Sequence, residues 1–129
     1  MEETIVSQAT PSGYSAISIV RLSGKKALSF SKTLIKKKQL IHNEPTLSSI
    51  YIKNKLIDKG IVTAFHSPNS YTGEDVVEIA CHGNPNITTS IIEELVSFGS
   101  RIAEPGEYTK RAFLNGKLNL LQAETIGLL

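Results

Sequence analysis

The chain has 129 residues, 14 Lys+Arg against 12 Asp+Glu for a formal charge of +2, and 40% hydrophobic residues. That is enough for one cohesive core without metal or disulfide staples, and two full domains are not expected at this length. A single Cys excludes an intrachain disulfide, the longest apolar runs fall far short of the roughly 20 residues that span a bilayer, and Met1-Glu2-Glu3-Thr4 lacks the basic start and apolar stretch of a signal peptide, which predicts a cytoplasmic protein.

Thr4 to Gln8 alternates with β character and is followed by the turn-forming Ala9-Thr10-Pro11-Ser12-Gly13. Ser15 to Leu22 reads as a second strand, with Ala16, Ser18, Val20 and Leu22 on one face and Ile17, Ile19 and Arg21 on the other. Ser23 is placed to cap a helix from Lys25 to about Lys38, whose stripe is Ala27, Leu28, Ser31, Leu34 and Ile35. Lys36, Lys37 and Lys38 then fall where the helix dipole favours positive charge. Leu47 to Lys53 and Leu56 to His66 predict a hairpin around Asn54-Lys55, its second arm bent at Asp58-Lys59-Gly60.

A turn-rich loop from His66 to Gly73 precedes a strand from Val76 to Cys81. After the break at His82-Gly83-Asn84-Pro85, Asn86 is placed to cap a helix carrying Ile87, Ile91, Ile92, Leu95 and Phe98, which Gly99 ends. Arg101 to Ala103 is a short extended piece. Two short helices follow, Glu107 to Asn115 and Asn119 onward, separated by Gly116, with Asn119 and Gln122 in capping-box relation. The last helix is still apolar at Ile126, Leu128 and Leu129, which predicts a longer parent chain. Strands intermixed with segregated helices predict an α+β fold, a mixed β-sheet with helices packed on it.

The charge is unevenly spread. From Arg21 to Lys59 there are ten basic and two acidic residues, and from Glu74 to Glu107 seven acidic residues and one Arg. Two solvated faces, one basic and one acidic, are the plain reading; a small RNA-binding module using the Arg21 to Lys59 stretch is an alternative, with only Phe30 and Tyr51 there as aromatics on which bases could stack. No GxxxxGK[ST] and no GxGxxG occur, so the chain carries no phosphate-cradling loop. The three His and one Cys are scattered, and Cys81 and His82 point to opposite sides of their strand, so neither a metal site nor a catalytic nucleophile is expected. What stands out is Glu78, within Val76-Val77-Glu78-Ile79-Ala80-Cys81. A carboxylate there must face water, pair with a cation, or accept hydrogen bonds from a ligand. Arg21 and Lys117 are candidate cations for an anionic ligand.

Four stretches carry a resemblance: Thr4-Ile-Val-Ser-Gln-Ala-Thr-Pro-Ser-Gly13; Ile19-Val-Arg-Leu-Ser-Gly24; Ser67-Pro-Asn-Ser-Tyr-Thr-Gly-Glu-Asp-Val-Val-Glu-Ile-Ala-Cys-His-Gly83; and Arg101 to Glu124, with Glu-Pro-Gly-Glu-Tyr-Thr-Lys-Arg-Ala-Phe-Leu-Asn-Gly-Lys at its centre. Together they closely resemble the N-terminal region of the bacterial and organellar tRNA-modification GTPases of the MnmE (TrmE) family. The resemblance implies a folate-binding, dimerising domain at residues 1–116, similar in fold to the tetrahydrofolate domain of the aminomethyltransferases. A central helical domain would begin at 117–129, with a GTPase domain outside this chain. It also implies 5-formyl-tetrahydrofolate as ligand, held by Arg21, Glu78 and Lys117, with Glu78 accepting from the pterin edge. The parent would use GTP with Mg and K. It would form a homodimer and work with the flavoprotein MnmG (GidA) on the wobble uridine of tRNA. The chain departs from the family pattern at Asn84, where a second Gly often follows His-Gly, and at Tyr14-Ser15.

Overall fold

The computed structural model describes residues 3–125. The alternating segments become β1 (Ile5–Gln8) and β2 (Ile17–Ser23), paired antiparallel with Val6 opposite Leu22 and Ser7 opposite Arg21. β3 (Thr46–Ile52) and β4 (Lys55–Phe65) form the expected hairpin. Its turn residues, Lys53 and Asn54, both have positive φ (50° and 67°), the geometry that lets a two-residue turn follow the twist of its strands. The register slips between Ile50 and Tyr51, which leaves Ile57 as the extra residue of a bulge just ahead of the expected bend.

β5 (Val76–His82) lies between β4 and β2 and is antiparallel to both. The two-residue β6 (Arg101–Ile102) runs parallel to β1, so the sheet order is β3-β4-β5-β2-β1-β6. This mixed sheet with segregated helices is the α+β arrangement that the pattern predicts.

Period-2 alternation gives the sheet one apolar face. Val6, Val20, Leu22, Ile50, Val62, Val77, Ile79 and Cys81 pack there against Leu34 and Ile35 of α1 (Ala27–Ile35) and Ile91 and Leu95 of α2 (Pro85–Phe98). Ile91 and Leu95 are fully buried, each worth about 2 kcal/mol of transfer free energy. The buried thiol of Cys81 is held above its ordinary pKa by that burial, so it acts as a small core side chain. α3 (Glu107–Leu114) packs on the opposite face near β1 and β2, through Tyr108 and Arg111. α4 (Leu120–Thr125) follows it.

The structure corrects both expected caps. Ser23 remains in β2, with its hydroxyl bonded to Thr72 and Glu74, while the N–H of Lys26 at the start of α1 donates to Thr4 Oγ1 (2.9 Å). α2 is capped by Asn84, not Asn86: Asn84 Oδ1 accepts from Asn86 N (2.9 Å) and Pro85 occupies the first helical position. Short side chains near a helix start are interchangeable in local pattern; tertiary partners decide which one caps. At α4 the box forms as expected, with Asn119 N donating to Gln122 Oε1 and Gln122 N to Asn119 Oδ1, both at 2.8 Å. The apolar end at Ile126, Leu128 and Leu129 lies outside the described residues.

Candidate ligand site on the open face of the sheet

On the face away from α1 and α2, side chains line up in two cross-strand rows. Leu47, Ile61, Ala80 and Ile19 face one another across β3, β4, β5 and β2. Two residues along, Thr63, Glu78, Arg21 and Ser7 do the same across β4, β5, β2 and β1. α3 covers only the β1 and β2 end of the second row, so Leu47 stays 67% exposed and Ile61 40%. A hollow of about 210 Å³ opens beside the apolar row, lined by Ile17, Leu47, Ile61, Ala80 and His82 among others. An antiparallel sheet normally turns polar residues to an uncovered face. An apolar row there has a cost in water that a partner or ligand would relieve.

Arg21 and Glu78 meet directly. Arg21 donates from Nε (2.9 Å) and Nη2 (2.8 Å), both to Glu78 Oε2, with each side chain 30% exposed. Of the three options for a carboxylate at 78, pairing with a cation is the one realised. The geometry leaves capacity unused: Glu78 Oε1 accepts no hydrogen bond among the described residues, and Arg21 Nη1 donates none. The guanidinium lies over the Tyr108 ring, 5.5 Å from its centroid. Tyr108 donates its hydroxyl proton to the Arg21 carbonyl (2.7 Å) and accepts from Ser7 Oγ (3.0 Å); burial raises its pKa above the usual phenol value. The pair is thus fixed from backbone and ring.

Lys117 is held elsewhere. Its ammonium donates to the Pro68 carbonyl (3.1 Å), and no hydrogen bond or ion pair joins it to Arg21 or Glu78 among the described residues. The 68–73 loop on which it rests is bound to β2 through Thr72 and Ser23 (2.7 Å), so Lys117 is tied to the strand that carries Arg21 without touching the pair.

Sequence reasoning missed Arg111. It is 3% exposed, bonds Glu74 (3.0 Å) and Glu107 (3.2 Å), and reaches the Ser23 carbonyl (3.5 Å). Glu107 also binds Arg101 (2.6 Å), which bonds Glu3 (3.1 Å). The signal available was the i,i+4 spacing of Glu107 and Arg111, ordinarily a surface helix pair. The Arg101 bond holds the Glu107 carboxyl at about 2, far below the usual carboxylate range, and raises Arg101 in return. Glu74 and Glu107, two of the seven acidic residues of the 74–107 half, are thereby paired with arginines within the fold, while Glu93 and Glu104 stay exposed.

A matching family profile, described as the N-terminus of the GTP-binding protein TrmE, covers residues 4–117. The chain belongs to the TrmE N-terminal family. Curated relatives include proteins named tRNA modification GTPase MnmE from Francisella philomiragia (54% identical over 97% of this chain), Francisella tularensis (51% over 97%) and Aliarcobacter butzleri (49% over 96%). The chain spans 28% of the length of each of these relatives. Its TrmE N-terminal fold is the mixed sheet described above, and among the described residues no helix is long and apolar enough to cross a membrane.

Proposed function

We propose that this chain is the tetrahydrofolate-binding and dimerisation module of a longer GTP-hydrolysing tRNA-modification protein, with residues 1–116 forming the module and 117–129 opening a helical domain. The observation that carries the reading is the half-buried Arg21–Glu78 pair standing beside an uncovered apolar row. A pterin is a flat ring with an amino group beside a ring N–H on one edge. Glu78 Oε1, without a hydrogen bond among the described residues, accepts from that edge; Oε2, pinned by Arg21, keeps the carboxylate oriented. The ring body rests on the apolar row, and Arg21 Nη1 and Lys117 Nζ are the donors for carbonyl or carboxylate oxygens. Supplied as 5-formyl-tetrahydrofolate, the ligand would bring a one-carbon unit.

A second copy of the chain covers the remaining apolar row, which places the ligand near a dimer interface. The parent's GTP, Mg and K belong to a domain outside this chain. MnmG (GidA) and tRNA are partners of the whole assembly, in the cytoplasm. An assembly domain that dimerises without binding folate is the competing reading, supported by the same apolar row; it predicts a dimer that gives no heat with folate.

Calorimetric titration of the protein with 5-formyl-tetrahydrofolate tests the site. Glu78→Ala removes charge-assisted hydrogen bonds worth about 1.5–3 kcal/mol, a loss of roughly ten- to hundredfold in affinity. Wild-type affinity in that variant would take Glu78 out of the site.

A further inference from the structure

The lysine run after α1 is divided by the fold among different tasks. Lys36 Nζ lies 4.3 Å from the centroid of the Tyr51 ring, and Lys37 Nζ donates to the Leu47 carbonyl and to Ser48 Oγ, both at 3.0 Å. Lys38 and Lys32 do neither. They line a cavity of about 480 Å³ with Leu28, Leu40, His42 and His66, bounded by α1, the 38–42 segment and the end of β4. Neither ammonium has a hydrogen-bond or ion-pair partner among the described residues, and no carboxylate lines the cavity. Two unneutralised cations sharing one concave surface repel each other unless an anion lies between them.

The two imidazoles extend the donor set. His42 Nδ1 accepts from the His66 backbone N–H (2.9 Å), so in the neutral ring its proton is on Nε2, which makes no hydrogen bond among the described residues. His66 Nε2 lies 2.9 Å from the Leu40 carbonyl and donates to it, which fixes that ring. The floor is apolar, from Leu28 and Leu40, and the volume is that of a small-molecule site. Cations on one wall and an apolar floor match a molecule that joins a phosphate to a ring-sized body.

We propose that this cavity, formed on the helix-covered side of the sheet and separate from the Arg21–Glu78 face, binds the phosphate ester of a nucleotide, Lys32, Lys38 and the His42 Nε2 proton holding the phosphate. The nucleotide comes either free in solution or as one residue of an RNA chain; the chemistry recognised is the same. The test uses the full-length protein with uridine 5′-monophosphate, uridine, and a short oligouridylate as probes, read by fluorescence anisotropy and calorimetry at two salt concentrations. The monophosphate should bind at least tenfold more tightly than uridine. The Lys32→Gln/Lys38→Gln double variant should bind it at least tenfold more weakly, while Lys25→Gln, whose side chain does not line the cavity, should match wild type. Tighter binding of the oligomer, lost in the same double variant, assigns the ligand to RNA; equal binding assigns it to the free nucleotide. Uridine binding as well as its monophosphate, or a double variant with unchanged affinity, would overturn the proposal.

Discussion

Glu107 shows how one carboxylate can tie distant parts of the chain together. It binds Arg101 of β6, Arg111 one helical turn on, and the backbone N–H of Glu104. Its pKa falls from the ordinary 4.5 to about 2, so it contributes stability that is fully present above about pH 4.5 and is lost as pH falls through 2. That shift corresponds to about 3 kcal/mol. Glu107→Gln should therefore lower stability at pH 7 by roughly that amount, and denaturant melts should show the gap to wild type shrinking between pH 4.5 and pH 2. A gap that stays constant with pH would show that the charge on Glu107 is not what the fold uses. Glu78 differs: among the described residues its one partner is Arg21, and its side chain stays 30% exposed.

At the scale of elements, local pattern located the pieces and tertiary contact set their ends. Asn84 is the residue that caps α2. Asn84→Ala should cost about 1 kcal/mol, a fall of roughly 3–5 °C in Tm by calorimetry. β4 and β5 approach so closely at Gly60 that an added Cβ would lie 2.2 Å from the Ala80 carbonyl oxygen. Gly60→Ala should push the strands apart and cost about 1–3 kcal/mol in denaturant melts; wild-type stability would mean the bulge at Ile57 absorbs the methyl. The strands, their buried faces, the hairpin and the α4 box were legible because periods of 2 and 3.6 and turn residues act over a few positions. The parallel pairing of β6 with β1, the side of the sheet taken by α3, and the burial of Arg111 were not, because each depends on contacts nearly a hundred residues apart or on a face that no local spacing selects.

For the whole molecule, the two faces of the sheet divide the work. One is sealed by α1 and α2; the other exposes Leu47 and Ile61 at the β3 and β4 end of the apolar row. If a second copy covers that row, Ile61→Glu should convert a dimer to a monomer in sedimentation while leaving the folded monomer's circular dichroism unchanged. A dimer of undiminished mass would move the interface elsewhere. Of the candidate site, Arg21 and Glu78 were legible as charges out of place on apolar strands. Their mutual pairing followed only from the cross-strand register, and the distance of Lys117 from them only from the path of the 68–73 loop.

The clamp of α3 on the open face has a consequence for synthesis. Arg21 and Glu78 lie on strands made early, yet the groups that fix Arg21 and its neighbour Ser23, the Tyr108 hydroxyl and the Arg111 guanidinium, come from the last fifth of the chain. A nascent chain stalled before residue 101 can pair β2 with β5, but Arg21 lacks its backing and β1 lacks the brace that Arg101 and Glu107 place beside it. The open face is thus completed only when the part of this region through Arg111 has been made, at a ribosomal pace of about 5–20 residues per second, and an earlier, half-built domain lacks that finished surface.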